Sequence, residues 1–264
     1  MAYETIRYET DKRGVARVTL ARTSVHNAMS AKLIAEIRDA TNRIAKDGTI
    51  RVVVLTGEGE SFCAGGDLRW MQENVNATRA DRMKAAGEIA DMLFELDTLP
   101  KPLIGRINGP AYGGGIGLIS VCDVAIGVEG ARFGLTEVRL GLVPATISPY
   151  VVRRIGHANA RRVFFSGRLF QADEAKALNL LSEVVTTENL DAAIEEELAA
   201  LLQAAPGAIA ATKRLVDFVE RHGPEENRTA TLNALADVWE TEEGKEGIRT
   251  FLEKKVPWWQ KGTS

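Results

Sequence analysis

Apolar and polar positions along the chain follow two rhythms. Val15–Leu20 alternates apolar with polar residues, the two-residue period of a half-buried strand. Residues 31–45 instead carry Leu33, Ile34, Ile37, Ala40 and Ile44 at helical spacing, with Ser30 in place as an N-cap. Residues 52–55 are wholly apolar, as a strand covered on both faces of a parallel sheet is. A Gly-rich loop, 57–66, follows. Residues 85–99 return to helical spacing and Pro100 stops them. Residues 103–107 predict a second buried strand, 108–115 a second Gly-rich loop, 116–121 a short apolar helix and 124–126 a third strand. Strand, loop and helix recur in that order, which predicts an α/β fold with parallel strands. From Pro149 onward the pattern is almost all helix: from 187 or 188 to 202, then 206–220 opened by Pro206, then 225–239. The reading is an α/β core over residues 1–200 and a helical region over 201–264. No Pro-, Gly- or Ser-rich linker separates the two, so they are expected to pack as one unit.

Composition narrows the function. The 264 residues are 45% hydrophobic and 26% charged, which excludes the low-hydropathy, high-charge signature of disorder. The net charge is −3 with both signs interspersed and no basic stripe, so no nucleic-acid partner is expected. No run approaches the roughly 18 apolar residues of a membrane span, and residues 1–8 hold no apolar stretch of a secretory signal. The expected location is the cytoplasm, with Cys63 and Cys122 as reduced thiols. His26, His157 and His222 lack metal-ligand spacing, and no metal site is expected.

Three segments carry candidate chemistry. In Ser61-Phe62-Cys63-Ala64-Gly65-Gly66-Asp67-Leu68, glycines after a buried strand let the backbone turn sharply and aim N–H groups at a ligand. The same residues also read as a tight strand-to-helix turn with Asp67 as the cap. Asn108-Gly109-Pro110-Ala111-Tyr112-Gly113-Gly114-Gly115-Ile116-Gly117 again follows a strand and opens a helix, where N–H groups have no partner of their own. That is what an oxyanion hole needs, although close helix–sheet packing asks for the same glycines. No Gly-Lys-Ser/Thr follows, so the loop is not a P-loop, and no acidic residue at the proper distance makes it a dinucleotide fingerprint. Phe133-Gly134-Leu135-Thr136-Glu137-Val138 places Glu137 in an apolar stretch. Buried behind Leu135, Val138, Leu140 and Val143, its carboxyl would titrate high and serve as base and acid; a salt bridge to Arg139 is the alternative.

In this order, the three segments resemble the enoyl-CoA hydratase/isomerase (crotonase) family, over essentially the whole chain from Val18-Thr19-Leu20-Ala21-Arg22 and Asn27-Ala28-Met29 to Phe251-Leu252-Glu253-Lys254-Lys255. The resemblance implies a spiral of ββα turns with a C-terminal helical trimerisation region, assembled as a trimer or a dimer of trimers. The ligand it implies is an acyl-CoA thioester, with coenzyme A part of the substrate and no separate cofactor. It puts the two oxyanion donors on the N–H groups of Gly66 and Gly114, and the acid/base on Glu137. Arg22, Ala28 and Ala64 then lie along the adenosine-diphosphate part of coenzyme A, and Lys254 and Lys255 reach it from a neighbouring subunit. Asp67, Leu68, Trp70 and Gly117 fall within the matched segments and are expected at the substrate, with Arg69 and Trp70 walling the acyl pocket. Trp258 and Trp259 are expected at a subunit contact.

The chain departs from the pattern at one position. The family's two-glutamate hydratases carry a glutamate three residues after Gly114, where this chain has Gly117. One carboxylate can still deliver a water and return its proton, or move a proton from C2 to C4 of the acyl chain. Leu68-Arg69-Trp70-Met71, Gly117-Leu118-Ile119-Ser120 and Ala145-Thr146-Ile147-Ser148-Pro149-Tyr150-Val151-Val152 resemble a bacterial branch associated with methylglutaconyl-CoA hydratase. The function expected is hydration of a 2-enoyl-CoA, of methylglutaconyl type. The alternatives are an enoyl-CoA double-bond isomerase, or a non-catalytic member binding acyl-CoA or RNA. The acidic balance weighs against RNA, and the retained glycine loops with Glu137 weigh against loss of catalysis.

Overall fold

The structure, a computed structural model, describes residues 3–261. Residues 1, 2 and 262–264, the outer ends of the two regions drawn from the sequence, lie outside the described residues. The alternating and all-apolar segments form one sheet. β1 (Ile6–Thr10) pairs antiparallel with β2 (Val15–Leu20), and parallel strands β3 (Val52–Gly57) and β4 (Leu103–Ile107) follow. A short β5 (Ala111–Tyr112) leaves this sheet, β6 (Val124–Val128) rejoins it, and β7 (Arg132–Gly134) and β8 (Leu169–Gln171) pair with β5 in a small second sheet. β9 (Glu183–Val185) closes the edge of the large sheet, giving the order β1-β2-β3-β4-β6-β9. Every residue of β3 is buried, which accounts for its unbroken apolar run between two parallel neighbours.

α1 (Ala31–Lys46) turns Leu33, Ile34, Ile37, Ala40 and Ile44 inward, and the Ser30 hydroxyl accepts the Leu33 N–H at 3.2 Å. Next come α2 (Leu68–Val75) and α3 (Arg79–Asp97). α3 begins at Arg79 rather than residue 85, because Thr78 caps it and its first turns face solvent without an apolar stripe to announce them. α4 (Gly114–Ser120) starts at Gly114, inside the expected loop. α5 (Ser148–Ile155), α6 (His157–Ser166) and α7 (Ala172–Ala177) follow, so the chain after Pro149 is mostly helix, broken by the three-residue β8 and β9, which the sequence did not signal. Three-residue strands are too short to show a period.

α8 (Leu190–Gln203) buries Leu190, Ile194, Leu198 and Leu202 against the large sheet, and the boundary drawn at residue 200 falls inside it. Beyond it, α9 (Pro206–Arg221), α10 (Pro224–Glu240) and α11 (Glu242–Leu252) bury only Thr250 among them. Large apolar side chains there stand in the open: Trp239 is 58% exposed, Phe251 82% and Leu252 74%. Among the described residues, no helix is long and apolar enough to cross a membrane.

Candidate active site

Both glycine loops lie at the ends of parallel strands, and backbone pairing joins them. The Phe62 N–H donates to the Pro110 carbonyl at 3.0 Å, and the Tyr112 N–H donates to the Cys63 carbonyl at 3.0 Å. Asn108 ties the strand ends: its Oδ1 accepts the Gly57 N–H at 3.0 Å and its Nδ2 donates to the Gly59 carbonyl at 2.9 Å. A Cβ on Gly115 would lie 2.5 Å from the Cys63 carbonyl oxygen, so only glycine lets the second loop lie this close to the first. Gly65 has φ +89 and Gly113 φ +48, conformations that side chains other than glycine's rarely allow.

A third segment completes the clasp. The Met29 N–H donates to the Gly65 carbonyl at 2.7 Å, and the Met29 carbonyl accepts the Asp67 N–H at 3.1 Å, so Gly66 sits between two bonds made by its neighbours. The Met29 side chain, 3% exposed, reaches across to Gly114, where its methyl takes the place of any Cβ. Among the described residues, the Gly66 and Gly114 N–H groups have no hydrogen-bond partner.

Glu137 opens a single 3-10 turn, Glu137–Leu140, directly above this clasp. Its Oε1 lies 3.0 Å from where a Cβ on Gly113 would stand. Its Oε2 is buried without a hydrogen-bond partner. Burial pushes the carboxyl above its ordinary value of 4.5, with its own N–H pulling weakly the other way. Among the described residues no ion pair joins it to Arg139 or to any other cation. The shielding differs from expectation: Leu135 is 1% exposed, but Leu140 is 63% and Val143 71% exposed. The glycine loop lies against the carboxyl, and the two later apolar residues are exposed.

Gly117 lies one turn into α4 and is buried. A Cβ there would stand 2.5 Å from Ile147 Cγ2 and 3.6 Å from Leu93 Cδ1. The direction a glutamate would take is therefore filled with hydrocarbon. Asp67 caps α2, its Oδ1 accepting the Arg69 N–H at 2.8 Å, while its Oδ2 lies 2.8 Å from an Arg22 nitrogen. The Arg22 guanidinium holds the Asp67 carboxyl below its ordinary value. Trp70 is half-buried, and Trp70 Cε3 and Met71 Sδ both lie 3.9 Å from the Cβ position of Gly66, while Leu68 is 76% exposed. Ala28 is buried and Ala64 half-buried, both in irregular segments of the clasp. Lys254 and Lys255 follow α11; Lys255 pairs with Glu253 at 2.8 Å, and among the described residues no hydrogen bond or ion pair ties either lysine to the glycine loops. Trp258 is 51% exposed, while Trp259 is buried, with its carbonyl accepting from Arg51 at 2.9 Å.

Cys63 and Cys122 are free and buried, and burial pushes both thiols up to about 12, far from nucleophilic use. Sequence reasoning missed the bridging role of Met29, the packing of Ile147 over Gly117, and the fully buried Asn27, whose side chain accepts the Arg22 N–H at 2.9 Å and donates to the carbonyls of Glu58 and Ser61. Only Asn27 had a signal, a polar residue wedged in an otherwise tight turn.

A parallel sheet presents paired glycine loops beside a half-buried carboxylate whose Oε2 has no hydrogen-bond partner. The enoyl-CoA hydratase/isomerase family model matches residues 10–262. A Thermus thermophilus protein, named provisionally as an enoyl-CoA hydratase, is 34% identical over 94% of this chain and 98% of its own. An enoyl-CoA hydratase structure from Shewanella pealeana is 33% identical with a TM-score of 0.94, covering 97% of this chain and 96% of that one. An enoyl-CoA hydratase/isomerase structure from Marinobacter aquaeolei is 32% identical with a TM-score of 0.92, covering 97% and 99%. This chain belongs to the enoyl-CoA hydratase/isomerase family and has its crotonase fold; it is a hydratase/isomerase-type enzyme whose substrate class is the acyl-CoA thioester.

Proposed function

We propose that the protein hydrates a 2-enoyl-CoA, with the thioester oxygen bound by the Gly66 and Gly114 N–H groups and Glu137 as the sole acid/base. The observation that carries this reading is the Glu137 carboxylate beside the Gly113-Gly114 turn, its Oε2 buried without a hydrogen-bond partner. In the proposed step Glu137 takes a proton from water as the water oxygen bonds to C3. The π electrons move through C2 to the thioester oxygen, giving an enolate held by the two N–H groups. Glu137 then returns the proton to C2, and the carbonyl re-forms. Atoms and charge balance with water alone. One such N–H donor contributes about 3 kcal/mol to the transition state.

Ile147 favours a second reading. With hydrocarbon in place of a second carboxylate, water loses one acceptor that would orient it. Glu137 alone is sufficient to take a proton from C2 and deliver one at C4, which shifts the double bond without water. The acyl group to test first is a short branched enoyl ester carrying a carboxylate, on the resemblance of residues 68–71, 117–120 and 145–152. The purified protein is offered crotonyl-CoA, a 3-enoyl-CoA and a methylglutaconyl-type ester in isotopically heavy water, and products are weighed. Heavy oxygen in a 3-hydroxy product supports hydration. A 3-enoyl ester converted to its 2-enoyl isomer without oxygen uptake replaces hydration with isomerisation, and no turnover of any ester overturns both.

We also propose assembly through α9–α11 as a trimer or a dimer of trimers, supported by the apolar side chains those helices leave open. Lys254 and Lys255 would then meet coenzyme A across a subunit boundary, together with Ala28 and Ala64 from the chain holding the ester. The cytoplasm is the proposed site of action.

A further inference from the structure

We propose that Arg22 is a positioning residue that sets the Gly66 N–H relative to the Gly114 N–H, rather than a ligand of coenzyme A. The inference rests on the reading of those two N–H groups as oxyanion donors. Arg22 lies just beyond β2, and its guanidinium spans two irregular segments of the clasp. One terminal nitrogen donates to the Ala28 carbonyl; the other lies 2.8 Å from Asp67 Oδ2. The side chains are 22% and 8% exposed, so the pair is largely shielded from water. The planar fork of arginine is suited to hold two acceptors at a fixed separation, which a lysine cannot do.

The acceptors it holds flank the element that carries Gly66. Ala28 precedes Met29, and Asp67 follows Gly66. Between them the Met29 N–H bonds to the Gly65 carbonyl at 2.7 Å, and the Asp67 N–H bonds to the Met29 carbonyl at 3.1 Å. Arg22 therefore closes a ring around Gly66: Arg22, Ala28, Met29, Asp67 and back to Arg22. Met29 is also the residue whose side chain abuts Gly114. The ring that orients one N–H thus includes the residue that touches the other. Arg22's own N–H is held by Asn27 Oδ1 at 2.9 Å, so the arm is anchored at its base as well. Displacing a reacting group by an ångström costs about a hundredfold in rate, so the spacing of two donors is a quantity worth this much bracing.

The test uses the full protein with Arg22→Lys, Arg22→Gln and, in case those fold poorly, Asp67→Asn, which retains an α2 cap but loses the charge. Three quantities are read: kcat with an accepted enoyl-CoA, the Kd of free coenzyme A, and the carbonyl stretching frequency of a bound, unreactive enoyl-CoA analogue by infrared difference spectroscopy. A positioning residue gives a kcat lowered about tenfold to a hundredfold, a smaller carbonyl shift than wild type, and an unchanged Kd for free coenzyme A. A weakened Kd with kcat and carbonyl shift intact makes Arg22 a coenzyme ligand and overturns the inference. A carbonyl shift that survives in all three variants overturns it as well. If the wild-type protein itself shows no carbonyl shift, the oxyanion reading fails first, and the result is distinguishable from a failure at Arg22.

Discussion

Ile147 Cγ2 stands 2.5 Å from the point that a Cβ on Gly117 would occupy. Ile147 is 3% exposed and its neighbour Leu93 is fully buried, so neither has open space to move into. Position 117 is closed by packing, so under the proposed function Glu137 works without a second carboxylate there. Gly117→Glu must displace a β-branched side chain and bury a charge. We expect a loss of about 1–3 kcal/mol from overpacking alone, read as a lowered Tm, together with reduced turnover. Adding Ile147→Ala to Gly117→Glu opens room, and should restore part of the Tm and raise crotonyl-CoA hydration above that of the single variant. A Gly117→Glu protein that melts with wild type would show that Ile147 does not close the position.

The sheet and α1 were legible because their apolar residues repeat with the period of the backbone that carries them. The glycine loops were legible as breaks after buried strands, and Glu137 as a carboxylate among apolar neighbours. Packing between distant segments left no local mark. Nothing in Gly117 or Ile147 alone says that they touch, and nothing in Arg22 says that its head turns to Asp67 rather than outward. The expectation that Leu140 and Val143 shield Glu137 failed for the same reason, since an apolar residue in an irregular turn does not declare its face.

Gly114 and Gly115 differ in what confines them, and alanine should separate them. At Gly114 the obstacle is the end of the Met29 side chain, an unbranched thioether able to swing aside. At Gly115 it is the Cys63 carbonyl, 2.5 Å from the added Cβ and held by the Tyr112 N–H. Gly115→Ala should therefore cost more stability, about 2 kcal/mol or above, by denaturant titration. Gly114→Ala should fold nearly as well as wild type but lose kcat, because Met29 moves against the Gly66 segment. Equal stability losses at the two positions would contradict this reading of the clasp.

The exposed apolar face of α9–α11 predicts association. Phe251 and Leu252, 82% and 74% exposed, sit at the end of α11. Phe251→Asp places a charge on that face, and sedimentation should show smaller species than wild type at micromolar concentration, with the secondary structure retained. A wild-type protein that sediments as a stable monomer would end the oligomer proposal and, with it, the cross-subunit role of Lys254 and Lys255.

The raised titration of Glu137 makes two linked predictions with opposite signs. As a base, Glu137 must be ionised, so kcat/KM should fall as pH drops through a midpoint above the ordinary carboxyl value of 4.5. Glu137→Gln keeps the shape, removes the base and should lower kcat by about a hundredfold to ten-thousandfold. For stability, the folded state binds this proton more tightly than the unfolded chain, so stability falls as pH rises from the ordinary value through the raised one. The cost of the buried charge is fully present above that window and absent below it. Glu137→Gln should thus melt higher than wild type at neutral pH, and the advantage should shrink to nothing once pH falls below the ordinary carboxyl value. Two melting series across that range, one for each protein, check the sign. A variant less stable than wild type at neutral pH would mean that the carboxylate is held by partners, and that its place at the centre of the site owes to structure rather than to proton transfer.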